Sequence, residues 1–305
     1  MKRFSLIILL GMAILLANCS KDNTDDSETN NSGNENEVEN IDKSGNLLPT
    51  GASANDLLTN TNFENLLIEI AYVAGYRPTP EAMDNFIAFL RQHTFKQNIT
   101  INYLELPSPE EETLELQEIG DLEIENRTAY NTDNTLAVYI YFADAPSDGD
   151  DSDEGLVTLG AVYRNTSMVI YEETIRSLAS RSVLISNEDV ETATLNHEFG
   201  HLFGLVDLSG TQNGEEITYT PMVNEHEDPE AADHCAIEGC LMRAELQFNT
   251  NFKGETHLNK NGIHSACSLS GESMLSLLST QAGQSARVPG LDAECILDLQ
   301  NNGGR

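Results

Sequence analysis

The 305-residue sequence predicts an α+β fold: a mixed, mostly parallel twisted sheet with a backing helix and a histidine-bearing helix, then a small irregular C-terminal subdomain. Three observations predict it. A strand, a helix and a strand follow one another over residues 66–106, the order needed for a right-handed crossover between parallel strands. The run Leu136 to Phe142 is built of aromatic, aliphatic and β-branched side chains that favour a strand. A capped helix after Ser186 carries His197, Glu198 and His201, and a stretch without sustained hydrophobic period follows it.

In chain order, Lys2 and Arg3 precede an apolar run, Phe4 to Leu16, too short for a comfortable membrane span and typical of a leader. The run closes with Leu16-Ala17-Asn18-Cys19, which resembles the lipobox of bacterial lipoproteins. The resemblance implies a signal peptide over 1–18 and lipidation of Cys19 as the first residue after cleavage. Ser20 is similar to the outer-membrane sorting pattern. Lys21-Asp22 and Asp25-Asp26 resemble the acidic export signal by which some such bacteria expose lipoproteins on the cell surface. Residues 20–46 almost lack apolar side chains and cannot offset their ordering entropy. The expected organisation is an acidic disordered tether over 19–59, a subdomain with the active-site helix over 60–207, and a second subdomain over 208–305.

Leu66 to Val73 reads as a buried strand ended by Gly75 and Pro78. Thr79-Pro80-Glu81 starts a helix with a cap, a proline in its first turn and an early acid. Met83, Phe86, Ile87 and Leu90 give that helix one packing face to about His93. Ile99 to Leu106 alternates as a strand, and Glu110 to Glu118 reads as an acidic surface helix. Val157 to Tyr163 and Ser167 to Tyr171 continue the sheet. Asp148, Asp150, Asp151, Asp153 and Glu154 crowd the loop before them. Calcium could gather there through carboxylate oxygens, but the spacing is not that of an EF-hand, and a solvated acidic loop is the adopted reading. Ser186 and Asp189 form a capping box that opens the histidine-bearing helix. Leu291 to Gln300 closes the chain as a short helix.

Composition excludes some partners. With 50 acidic against 16 basic side chains and a formal charge of −34, nucleic acid and anionic lipid are repelled, leaving the lipid anchor as the membrane contact. A monomer is expected. Setting Cys19 aside leaves Cys235, Cys240, Cys267 and Cys295, an even number that suggests two disulfides in an extracytoplasmic chain. Of the three pairings, Cys235/Cys240 with Cys267/Cys295 is preferred, because four residues can close a small loop.

The chemistry concentrates in His197-Glu198-Phe199-Gly200-His201-Leu202-Phe203-Gly204-Leu205-Val206-Asp207. Histidines one helical turn apart share a face and can hold one metal ion. Glu198 lies beside that ion, placed to take a proton from water. Gly204 allows a sharp exit from the helix, and Asp207 follows where the returning chain could offer a third ligand. His226, His234 and Glu225 are alternatives for that third position. Two imidazoles and a carboxylate suit one catalytic zinc.

This pattern resembles the metzincin clan of zinc peptidases in its HExxHxxGxxD form, similar to the snapalysin-like branch. His234-Cys235, Cys240, Leu241 and Met242 resemble the corresponding stretch of archaemetzincins, with Met242 as the methionine of the turn below the zinc. The sequence-specific likeness covers about residues 194–242; upstream only the order of elements agrees. Archaemetzincins hold a second, structural zinc through four cysteines. Here the closing Cys-x-x-Cys is missing, so a single catalytic zinc is expected. The resemblance implies a zinc-dependent endopeptidase acting on extracellular proteins or peptides. Its substrate would lie extended along an edge strand, with Val157 to Tyr163 or the strand before it as the candidate. The alternative is a catalytically idle surface lipoprotein that binds a ligand on the same scaffold, although such a module has no need of Glu198.

Overall fold

The computed structural model describes residues 41–151, 156–206, 209–212, 215–243, 267–270, 275, 278–279 and 288–305. The expected leader, Cys19 and the first part of the expected tether lie outside the described residues, as do Asp153, Glu154 and Asp207. No described helix is long and apolar enough to cross a membrane.

The folded chain starts earlier than its composition suggests. Asn46 is buried, and its amide donates to the Ala137 carbonyl at 3.0 Å and to Thr166 Oγ1 at 3.0 Å. Helix α1 (Ala54–Leu58) buries Leu57 and Leu58 in the main core. A few apolar anchors and one satisfied asparagine thus hold residues that the sequence places in the tether.

Strand β1 (Asn65–Val73), helix α2 (Pro80–His93) and strand β2 (Asn98–Leu106) follow as expected. Thr79 caps α2 by accepting from the Ala82 amide at 3.3 Å. The acidic helix is displaced from its expected place. Glu110 has a left-handed backbone, φ 61°, and helix α3 (Leu116–Asn126) instead starts at the Glu115–Glu118 capping box. Pro107 and Pro109 disfavour helix at the residues before them, whereas the box satisfies the first free amides. Strands β3 (Thr135–Ala143), β4 (Leu156–Arg164) and β5 (Ser167–Tyr171) occupy the expected places. Helix α4 (Glu172–Ala179), which the sequence reading did not include, leads to α5 (Asn187–Leu202), the histidine-bearing helix.

The stretch without sustained hydrophobic period after α5 contains a hairpin, β6 (Ser209–Gln212) with β7 (Glu215–Thr218). A second small ladder, β8 (Glu227–Asp228) with β9 (Ala231–Cys235), precedes the turn that holds Met242. Strand β10 (Cys267–Ser270) joins the main sheet, and helix α6 (Ala293–Asn301) closes the chain.

The main sheet has the order β10-β4-β5-β3-β1-β2. The pairs β2/β1, β1/β3 and β3/β5 are parallel, while β5/β4 and β4/β10 are antiparallel. A mostly parallel sheet covered on both faces explains the unbroken apolar run in β3. Leu136, Val138, Ile140 and Phe142 join the core that also contains α2 and α5, whereas Tyr139 and Tyr141 join Ile119 of α3 on the other face. Under α3, Glu123 is buried and doubly paired, to Arg127 at 2.6 Å and Arg164 at 2.5 Å. The backing helix fixes the position of α5 through aromatic contacts. Phe86 meets Phe199 edge-on with centroids 5.2 Å apart, and Phe89 stacks on Phe203 at 6.0 Å.

Candidate metal centres

Helix α5 starts where its local chemistry predicts. The Ser186 hydroxyl accepts from the Asp189 amide, and the Asp189 carboxylate accepts from the Ser186 amide at 2.9 Å. From Asp189 to Leu202 every residue is buried, so this helix lies inside the molecule rather than on its surface. The chain turns away just beyond it at Gly204, φ +73°, where a Cβ would collide with the Thr220 side chain, so both backbone angle and space require glycine. Val206 is also left-handed, φ 64°, and the chain leaves sharply.

His197 and His201 face one another, with their Nε2 atoms 3.3 Å apart. The third imidazole is that of His234, on β9. Its ring centroid lies 5.4 Å from that of His197 and 5.3 Å from that of His201. One ring nitrogen from each of the three can be chosen so that all lie within 4.8 Å of one another, and all three residues are buried. His197 Nδ1 donates to the Leu241 carbonyl at 2.7 Å, and His234 Nδ1 donates to the Ala232 carbonyl at 2.7 Å. Those bonds hold the rings in place and leave each Nε2 lone pair available to a cation.

Burial keeps the imidazoles neutral. It holds His197 down to about 3, with the nearby His234 adding to the effect and the Leu241 bond opposing it. It lowers His201 well below the ordinary histidine value, with His197 and His234 adding to it, and lowers His234 as well. Three neutral nitrogen donors around one point fit zinc.

Glu198 is buried beside them, and neither carboxylate oxygen has a hydrogen-bond partner. Burial alone raises its carboxyl to about 8. A Cβ at Gly160 of β4 would collide with the Glu198 carboxylate, so the sheet leaves room for the acid only because that residue is glycine. Met242 lies under the helix, where a Cβ at Gly200 would meet its sulfur. Met242 is thus fixed against the turn between the two histidines, and the preceding Leu241 supplies the carbonyl that orients His197.

Of the expected third ligands, the structure brings His234 to the site. Asp207 lies outside the described residues, and Glu225 is exposed. His226 belongs elsewhere: its Nε2 lies 3.6 Å from Cys295 Sγ and 3.6 Å from Asp298 Oδ2. The sequence signal for His234 was its place directly before Cys235, at the start of the stretch that ends in Met242.

The predicted disulfides are corrected. Cys235, Cys240 and Cys295 are free, buried thiols. Cys240 and Cys295 sulfurs are 3.6 Å apart, far beyond a bond of about 2 Å. Cys295 is therefore not bonded to Cys267, whose side chain lies outside the described residues. The three thiols converge with Asp292, and one donor atom from each lies within 4.8 Å of the others. Backbone amides two residues on point at two of the sulfurs, Ile237 at Cys235 (3.4 Å) and Met242 at Cys240 (3.3 Å). Asp292 uses Oδ1 to cap α6, accepting from the Glu294 amide at 2.7 Å, and turns Oδ2 to Cys235 at 3.2 Å. Hydrogen bonding with Cys240 and Cys295 holds the Cys235 thiol below its ordinary value. The same interaction with Cys235 raises Cys240 and Cys295. A cation would relieve that competition, and three sulfurs with one carboxylate can complete a closed four-ligand shell. Beside the group that would hold the one catalytic zinc expected, the described residues contain a second group that could bind a metal, joined to the first by the turn 235–242.

No protein-family model matches the sequence. No curated protein matches it. Among solved structures, the chain is similar to the crystal structure of archaemetzincin from Methanopyrus kandleri, with 15% identity over 78% of this chain and 95% of that one and a TM-score of 0.41. What the centre can do follows from its own side chains.

Proposed function

We propose that the chain is a zinc-dependent endopeptidase, with His197, His201 and His234 as ligands and Glu198 as general base and acid. The observation that carries this is the unpartnered, buried Glu198 carboxylate beside three converging neutral imidazoles. A scaffold kept only for binding would have no reason to bury that acid without a partner.

Bound at the imidazoles, zinc supplies Lewis acidity to a water molecule and to the scissile carbonyl. The chain's own residues do the rest. Glu198 takes the proton of the attacking water and passes it to the departing amine. His197 is kept in register by the Leu241 carbonyl, and Met242 supports the helix from beneath. The substrate is proposed to lie extended along β4, whose Gly160 adjoins Glu198. The thiol cluster with Asp292 is proposed to hold a second, purely structural zinc. The leader and Cys19 support secretion to the outer membrane on a lipid anchor, with the enzyme acting as a monomer on proteins or peptides outside the cell.

The test is Glu198→Gln with metal analysis of both proteins. The variant should keep its zinc while peptide cleavage falls by about 10²- to 10⁴-fold, the span of general acid–base contributions. Hydrolysis at the wild-type rate would rule out this mechanism.

A further inference from the structure

We infer that the chain occupies its own substrate-binding edge: β10 lies on β4 where an extended peptide would add, and must leave before a substrate can bind. This rests on the proposed peptidase reading and concerns how that site is controlled.

One side of β4 pairs with β5 and the other with β10. The β10 ladder is antiparallel, with Leu269 opposite Val157, Ser268 opposite Thr158 and Cys267 opposite Gly160. Gly160 is the residue whose missing Cβ makes room for the Glu198 carboxylate. The start of β10 is therefore the next strand over from the catalytic acid, and neighbouring strands lie about 4.8 Å apart. A peptide bound by strand addition needs the same outward N–H and C=O groups of β4, so β10 and substrate exclude one another.

The pairing has the marks of an exchangeable strand. The described part of β10, residues 267–270, pairs with β4 through its backbone ladder. Its register is broken between Cys267 and Ser268, beside Gly160, whereas the β1/β2 register runs without interruption. Its sequence, Cys-Ser-Leu-Ser with Ala266 before and Gly271 after, has a single large apolar residue.

The experiment uses the full chain. Ser268→Pro and Leu269→Pro are made separately, because successive amides alternate between pointing at β4 and away, so one proline removes a ladder bond and the other serves as its control. If β10 holds the edge nine-tenths of the time, releasing it should raise kcat/KM on long peptides by about tenfold. A synthetic peptide carrying residues 265–272, with serine for Cys267, should then inhibit the released variant competitively. Proline variants that keep zinc content and thermal midpoint but cleave no faster than wild type would overturn the inference and leave the peptidase reading intact. Absence of cleavage in wild type and both variants would instead count against the peptidase reading. Hydrogen exchange of the wild type decides the strand's behaviour in every case. Displaceable β10 requires the outward amides of residues 156–160 to exchange faster than those of β5, and equal protection would overturn it.

Discussion

The imidazole centre and the thiol centre share one turn and differ in almost everything else. At the first, three neutral donors leave a buried carboxylate beside them without a partner. At the second, three sulfurs and Asp292 use one another and the backbone as partners. An unsatisfied acid next to an incomplete ligand set is an arrangement for reaction, and a closed set of four is an arrangement for holding chain together. The two are not independent. The Leu241 carbonyl orients His197, and its neighbour Cys240 is a member of the thiol cluster. The turn thus links the thiol cluster to the imidazole cluster.

The largest expected effect breaks the comparison on the reactive side. His234→Ala should abolish cleavage and lower the bound metal by one ion per chain while the thiol centre keeps its own; Asp207→Ala should leave metal content unchanged. Loss of metal in the Asp207 variant alone would return the third ligand to that residue. Cys295→Ser attacks the other centre. It should lower the thermal midpoint and reduce activity by about 10- to 100-fold, as expected when support beneath a ligand is lost, and metal analysis should show loss first from the thiol site.

Gly160→Ala sharpens the contrast by moving only the acid. The new methyl group must displace the Glu198 carboxylate, and a shift of about 1 Å can cost about 100-fold in kcat with both metals retained. The smallest effect lies below α5 and should not touch either centre. Burial, then the nearby Glu191, raises the Glu172 carboxyl from 4.5 to about 9. Arg176 opposes that shift through a 2.6 Å bond. Because the folded value is the higher one, its stabilisation is full below about 4.5 and is lost as pH rises through about 9. Thermal midpoints measured across that interval should fall less steeply for Glu172→Gln than for wild type.

Local chemistry made the sheet and its helices legible. The caps at Thr79 and Ser186, the aromatic run in β3 and the glycine exit at Gly204 each act within a few residues, and each stands where the sequence placed it. The acidic helix was misplaced because composition alone does not show where a turn such as that at Glu110 will interrupt it. Helix α4 was missed because its short segment gains stability from burying Ile175 and Leu178 rather than from its own signals. Residues 41–59 looked like tether because a single buried asparagine and two leucines are too few to register in composition.

By itself the sequence determined that His197 and His201 share a helix face with Glu198 between them, since a spacing of one turn is a property of the helix. Only the tertiary structure decided that His234 is the third imidazole and that Cys235, Cys240, Cys295 and Asp292 form a cluster rather than disulfides. Those residues come from a small ladder, a turn and the last helix, and spacing along the chain does not encode which of several histidines or cysteines will meet once it closes. That choice is made where burial and backbone hydrogen bonds are satisfied together: Leu241 bonds to His197 on one side, while the adjacent Cys240 reaches the sulfur of Cys295 on the other.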